Sequence, residues 1–414
     1  MSASQGSNRR GWVVALAGLG VNLLLGTLYA WGVMGKALVM QWQWTKTEAA
    51  LPFAVSTAVF AVMMVFAGRA QDKLGPRRVA TLGGLLFGLG VAASSLFTSP
   101  LAILLCFGAV GGAGIGLAYS ATTPAAVKWF PAARKGLITG VVVSGVGAAA
   151  LFMSPLTQYL LAKVGIANTF MILGLGAACA IVLLAQLLTN PPADYLPAGQ
   201  TATASKLLAA RKDTDWHEML RTPQFYLLWL MYVLTASAGL MVIANVPLIA
   251  KEQAHWEAGF VPVMLLALFN TLGRFGSGAL SDRLGRTSTM VLAFALQAIN
   301  LFFFAQYTTP MSLALGTSLV GLCYGTIFTL MPAATADYYG LRNMGVNYGL
   351  VFTGFGVAGV FGSLLGGRVR DLFGSFDLAY LICAGMLLAA AVLAFLLRSP
   401  QARDALPESD RKAA

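Results

Sequence analysis

Along the 414 residues, continuous apolar runs of about twenty positions alternate with short polar connections, and the pattern recurs twelve times. As a helix, such a run covers roughly 30 Å of hydrocarbon. The first six lie near 12–34, 49–68, 79–98, 101–122, 136–161 and 166–189. The second six lie near 224–247, 258–280, 288–306, 311–331, 346–368 and 376–397. Continuous rather than alternating apolarity predicts membrane helices and argues against a barrel. The first run follows Arg9 and Arg10 as a signal peptide's would. It is too long for one and lacks a small-residue cleavage site, so it is expected to stay as the first helix.

Composition agrees with this pattern. Only 10% of residues are charged and 58% are hydrophobic, far from the roughly 25% charge of soluble domains. Four cysteines, Cys106, Cys179, Cys323 and Cys383, stand singly in different runs with no metal-ligand spacing, so free thiols are expected and no metal or cofactor is implied. The net charge of +12 raises the question of nucleic acid, but its distribution answers differently. In a twelve-span model Lys36, Lys46, Lys163, Lys251, Arg368 and Arg370 fall on one side, and every other Lys and Arg outside the spans falls on the opposite side. The positive-inside rule then places both termini in the cytoplasm of a cell's inner (plasma) membrane, with the lipid bilayer and not nucleic acid as the surrounding partner.

Hydrophobicity breaks over 190–223, where Pro191, Pro192 and Pro197 precede a charged stretch from Lys206 to Arg221. This divides the chain into an N-terminal six-helix bundle (1–189), a cytoplasmic linker (190–223), a C-terminal six-helix bundle (224–398) and a tail (399–414). The bundles repeat one another. Gly68-Arg-Ala-Gln-Asp72-Lys73-Leu-Gly75-Pro-Arg77 aligns with Gly278-Ala-Leu-Ser-Asp282-Arg283-Leu-Gly285-Arg286 at an offset of about 210 residues. Pro124-Ala-Ala ahead of Arg134-Lys-Gly136 matches Pro332-Ala-Ala ahead of Arg342 and Gly345 at nearly the same offset. In such a loop Gly75 and Gly285 permit a sharp turn. Asp72 and Asp282 can cap a helix N-terminus or pair with arginines such as Arg77 and Arg286. Duplicated at equivalent loops, these residues are expected to act as ties that break when the halves rock.

The duplicated loop resembles that of the major facilitator superfamily. The resemblance covers nearly the whole chain and implies an all-α membrane protein of twelve helices in two six-helix bundles around a central, alternately exposed site. Glycine strings such as Gly108, Gly111, Gly112, Gly114 and Gly116 then suit close helix packing. They lie inside apolar spans and not after a strand, so phosphate cradling is a poor reading.

One position stands apart. Arg274 is the fixed charge inside a long apolar run, in Leu268-Phe-Asn270-Thr-Leu-Gly-Arg274-Phe-Gly on span eight. A charge near a helix centre costs about 2.5 to 3.5 kcal/mol on insertion scales, so its retention needs a reason. Either the side chain snorkels to the interface, or it awaits an anion. The spans offer it no carboxylate. Asn270, four residues earlier, shares its helix face and can steady the guanidinium or touch cargo, but cannot cancel its charge. The empty site should therefore be about one positive charge in excess, which suits a monoanion. The guanidinium fork matches a carboxylate bidentately.

Glu218-Met-Leu-Arg-Thr-Pro-Gln-Phe225, Gly112-Ala-Gly-Ile-Gly-Leu-Ala-Tyr119 with Lys128-Trp-Phe-Pro131, and Asn347-Tyr-Gly349 are similar to the oxalate/formate antiporter family. That family is related to the monocarboxylate transporters, which place a substrate-binding arginine on span eight. The resemblance implies a pocket of Leu28 and Tyr29, Tyr119, Arg274, Tyr324 and Phe328, and Phe352. Oxalate carriers have a lysine on span eleven where this chain has Phe355. With one cation and an apolar wall, a dianion would leave a carboxylate unpaired in a low-dielectric site, a penalty of several kcal/mol. Short monocarboxylates such as L-lactate or pyruvate are the expected cargo.

Mammalian-type relatives carry an aspartate where Asn270 stands, which puts a protein-borne proton site in doubt. With His217 and His255 in connecting segments, the expectation is that a proton is the co-substrate and travels with the anion. Exchange of two carboxylates is the alternative. A transporter-derived sensor would need a soluble signalling domain, and an enzyme would need a catalytic constellation; the sequence offers neither. The chain is expected to act as a monomer.

Overall fold

The computed structural model describes residues 2–27, 31–192, 195, 213–256 and 260–397. Leu28, Tyr29, most of the linker and the tail lie outside the described residues. Among the described residues the chain is helical and has no strand. Nine helices among the described residues are long and apolar enough to cross a membrane. One of them, Lys135–Ala185, is two spans merged across a break at Gly165, whose φ of 76° is left-handed. Split there, and with Ser2–Leu25 and Arg286–Phe302 added, the helices make twelve spans.

The helices outrun their apolar runs because backbone hydrogen bonding continues into the polar interface. Span two is Lys46–Leu74, started by a capping box in which Thr45 and Glu48 satisfy each other's backbone N–H groups. Span seven is Pro223–Ala254, span eight Phe260–Leu284, span ten Pro310–Tyr339 and span eleven Met344–Phe373. Span four descends from Pro100 through a π-helical stretch, Leu104–Gly111, into Gly112–Val127. The first span departs most from expectation. One helix covers Ser2–Leu25 and another resumes at Trp31–Gln41.

Both repeated loops fold alike. Gly75 and Gly285 have φ of 85° and 88° with ψ of 160° and 159°, a region that glycine enters without the Cβ penalty. The two halves meet mainly where span five packs on span eight and span two on span eleven. Glycine permits that approach: a Cβ on Gly68 would lie 2.1 Å from the Gly345 carbonyl oxygen, and one on Gly140 would lie 2.3 Å from that of Arg274. The ends bearing the repeated loops, hereafter the basic end, are therefore drawn together.

Candidate functional site

Arg274 sits at the middle of span eight with 0% of its surface exposed, which rules out the snorkelling reading for this state. Its Nε donates to Asn270 Oδ1 at 2.9 Å, the contact that the four-residue spacing predicts. Its Nη1 donates to the Val143 carbonyl on span five, in the other half, at 2.8 Å. The guanidinium carbon stands 4.3 Å from the centre of the Phe328 ring, a contact worth about 0.5–2 kcal/mol when desolvated. Nη2 has no hydrogen-bond partner among the described residues, and no described carboxylate pairs with the group.

Span five makes this possible by presenting small residues to span eight. Besides Gly140, a Cβ on Gly147 would meet Thr271 Oγ1 at 3.0 Å and Arg274 Nε at 3.3 Å. A side chain at Gly140 would press on the backbone of span eight, and one at Gly147 on Thr271 and the Arg274 Nε.

Aromatic rings close the site. Phe328 packs against Tyr324 with centroids 5.2 Å apart and against Phe355 at 5.3 Å. Phe355 meets Phe352 at 5.1 Å, and Phe352 meets Tyr119 at 5.9 Å. Arg274, Asn270, Tyr324, Phe328 and Phe355 thus form one layer, with Phe352 and Tyr119 nearer the basic end. Sequence reasoning missed Val143, and also Phe60, Tyr232 and Tyr348. Phe60 stands 4.9 Å from Phe352, Tyr232 stands 5.8 Å from it, and the hydroxyl of Tyr348 meets those of Tyr232 and Tyr119. The four-residue repeat Gly136, Gly140, Ser144 was a legible signal for the span-five face. For three more aromatics in apolar runs there was none.

Beneath this layer the halves are tied at the basic end. Asp72 accepts from the backbone N–H of Gly345 at 3.2 Å and of Val346 at 3.0 Å, capping span eleven of the other half. Asp282 does the same for Gly136 at 2.9 Å and Leu137 at 2.8 Å on span five. The capping role expected of both aspartates is thereby realised across the interface between halves.

The arginines differ. Arg286 bonds Asp282 at 2.7 Å and Asp337 at 2.9 Å, and Lys135 from the other half reaches Asp337 at 3.5 Å. Arg77 is not brought to Asp72; its Nε donates to Gln186 at 2.6 Å within its own half. The reason is one residue. Arg286 directly follows Gly285, whereas Pro76 separates Arg77 from Gly75, turning the side chain about 100° around the helix. Among the described residues Asp72 consequently pairs with no arginine and keeps the N–H groups of Gly345 and Val346 and the nearby charge of Lys128.

A helical membrane protein of two repeated halves, with a buried charged site between them and ties at one end, has the architecture of an alternating-access carrier. The family model of the Major Facilitator Superfamily matches residues 11–305 and 263–414, and the chain belongs to that superfamily. It is a multi-pass membrane transporter and not an enzyme.

Among its relatives, an uncharacterized MFS-type transporter of Escherichia coli, YhjX, is 27% identical over 85% of this chain and 86% of its own length. The oxalate:formate antiporter of Oxalobacter formigenes is 28% identical over 91% of this chain and 88% of its own. Monocarboxylate transporter 14 of Mus musculus is 23% identical over 94% and 90%. The fold is shared with solved structures. The E. coli fucose:proton symporter has a TM-score of 0.69 at 16% identity, covering 93% of this chain and 98% of that one. The proton:xylose symporter XylE reaches 0.71 at 13%, covering 96% and 97%.

Proposed function

We propose that this protein carries small monocarboxylates such as L-lactate or pyruvate across the inner (plasma) membrane, with both termini cytoplasmic and a proton moving alongside the anion. The observation that carries this reading is Arg274: a fully buried cation, held by neutral acceptors and a ring face, with Nη2 still open. An incoming carboxylate would supply the charge the site lacks, and burial makes that pairing strong. Tyr324 and Tyr119 are the candidate hydroxyl partners for the anion. Phe328, Phe352 and Phe355, with Leu28, are assigned as its apolar wall, and Tyr29 as a further pocket residue of span one.

Phe355 supports a monoanion, since it packs among rings where a second cation would stand for a dianion. The relatives named for oxalate, formate and monocarboxylates support the coarser reading, a carrier of small carboxylates. Asp72, Asp282 and Arg286 serve as the gate at the cytoplasmic end.

Exchange is the second reading, favoured by the relative named as an antiporter. Proteoliposomes separate the two. Symport predicts that an inward proton gradient drives labelled lactate above equilibrium with no internal anion. Exchange predicts uptake only when an anion is loaded inside, and no uptake of any carboxylate would overturn both.

A further inference from the structure

Span nine, Arg286–Phe302, stands outside the candidate site, yet it carries two amides three residues apart, Gln297 and Asn300, each 3% exposed. Buried amides are costly unless they are hydrogen-bonded. Asn300 is met on both sides: its Nδ2 donates to the Gly316 carbonyl on span ten at 3.1 Å, and its Oδ1 accepts from the Tyr307 hydroxyl at 3.3 Å. Gly316 makes room for this arrangement, since a Cβ there would lie 2.5 Å from the Tyr307 ring.

These partners fix which way both amides face. The Gly316 carbonyl can only accept, so Asn300 must turn Nδ2 toward it. The same Nδ2 donates to Gln297 Oε1 at 3.3 Å. Gln297 must therefore turn its own Nε2 away from Asn300, and that donor is buried with no hydrogen-bond partner among the described residues. Gln297 lines a small cavity between spans seven, nine, ten and twelve, with Thr235, Gly239 and Tyr324 also on its wall. About 10 Å³ of it is open to a water molecule, room for one.

Tyr324 belongs both to this cavity and to the candidate site. Its ring crosses Gly239 of span seven so closely that a Cβ there would lie 2.3 Å from Cδ2. It also packs at 5.2 Å on Phe328, whose face carries the Arg274 guanidinium. Thr235 adds an acceptor to the wall. Its hydroxyl hydrogen is directed to the Met231 carbonyl at 2.6 Å, which leaves the Oγ1 lone pairs able to accept.

We propose that the cavity holds one water, which accepts from Gln297 Nε2 and donates to Thr235 Oγ1 and to the Tyr324 hydroxyl oxygen, and that Gln297 is thereby a positioning residue for cargo. The three partners are the number a buried water commonly has. Every hydrogen in the chain then points the same way: from Tyr307 to Asn300, from Asn300 to Gln297, from Gln297 to the water and from the water to Tyr324. A tyrosine oxygen that already accepts keeps its O–H to donate, and each bond in such a chain strengthens the next. Tyr324 is so prepared as a donor, the sense that a carboxylate needs and a cation does not. The inference rests on the reading of Tyr324 as a partner of the anion, and it extends the recognition of cargo to a helix that does not touch it.

Equilibrium binding of L-lactate to the purified full chain tests the positioning role. Gln297→Met removes the donor and should weaken binding about three- to tenfold. Thr235→Val should weaken it in the same direction, whereas Thr235→Ser keeps the acceptor and should stay within about twofold of the wild type. In a Tyr324→Phe background Gln297→Met should change affinity by less than about twofold, because no hydroxyl remains for the water to orient. Equal losses with and without the Tyr324 hydroxyl would assign Gln297 to packing and overturn the proposal, as would unchanged affinity in Gln297→Met. A cargo-free cryo-EM map that resolves these side chains should show a peak within hydrogen-bonding distance of Gln297 Nε2, Thr235 Oγ1 and the Tyr324 hydroxyl, lost in Gln297→Met. A wild-type map without that peak would also overturn it. The map needs no lactate, so a wrong cargo and a missing water are told apart.

Discussion

Arg274 on span eight and the backbone carbonyl of Val143 on span five are joined across the boundary between the two halves by a hydrogen bond of 2.8 Å. The side chain proposed to hold cargo is thus also a tie between the parts that must move. A cargo carboxylate and the Val143 carbonyl would draw on the same guanidinium, which gives binding a direct mechanical consequence.

Lysine at this position keeps the charge but cannot serve Asn270, Val143 and an anion in one plane. Arg274→Lys should weaken lactate binding by about tenfold or more and leave the protein folded. Equilibrium binding together with a thermal melt checks this.

Asn270 accepts from Nε without adding charge. Hydrogen bonds to charged groups contribute about 1.5–3 kcal/mol, so Asn270→Ala should weaken binding roughly ten- to hundredfold. Asn270→Asp should instead neutralise Arg274. Binding by that variant should tighten as pH falls and the new carboxyl is protonated, a trend measurable by titrating affinity between pH 5 and 8, a range of about three units.

Phe355 stands among Phe328, Phe352 and Tyr232. Phe355→Lys should move preference from lactate toward oxalate, read as the ratio of competition constants. An unchanged ratio would remove the argument that a single cation selects monoanions.

The two motif arginines should behave differently. Arg286→Ala removes partners from Asp282 and Asp337 and should slow transport about tenfold with little change in affinity. Arg77→Ala breaks only a contact with Gln186 and should leave the rate within about twofold. Initial rates of uptake in proteoliposomes distinguish them.

Gly140→Ala tests the close packing around Arg274. Its Cβ would fall 2.3 Å from the Arg274 carbonyl oxygen, and overpacking of this kind costs about 1–3 kcal/mol. The variant should melt at a lower temperature than the wild type, read by a thermal melt in detergent.

Much of this was legible in the chain. Hydrophobic runs locate helices because lipid leaves the backbone no other partner, and Arg274 was conspicuous because charge in lipid is costly. The helix ends were less visible: hydropathy stops at 68 on span two, while the helix runs to Leu74 and carries Asp72 with it. The one-residue insertion of Pro76 was visible as well, yet its effect on Arg77 depends on helical phase, which only coordinates reveal. Val143 contributes a carbonyl, and backbone acceptors leave no mark in a sequence. Phe60, Tyr232 and Tyr348 were hidden for another reason: an aromatic in an apolar run looks the same whether it faces lipid or a site.

Binding of L-lactate to purified wild type and Arg274→Ala is the most direct test of the central claim. Truncating a buried charged partner costs about 2–5 kcal/mol, so the variant should bind at least about thirtyfold more weakly while melting cooperatively. Equal affinity in the two proteins would contradict the account.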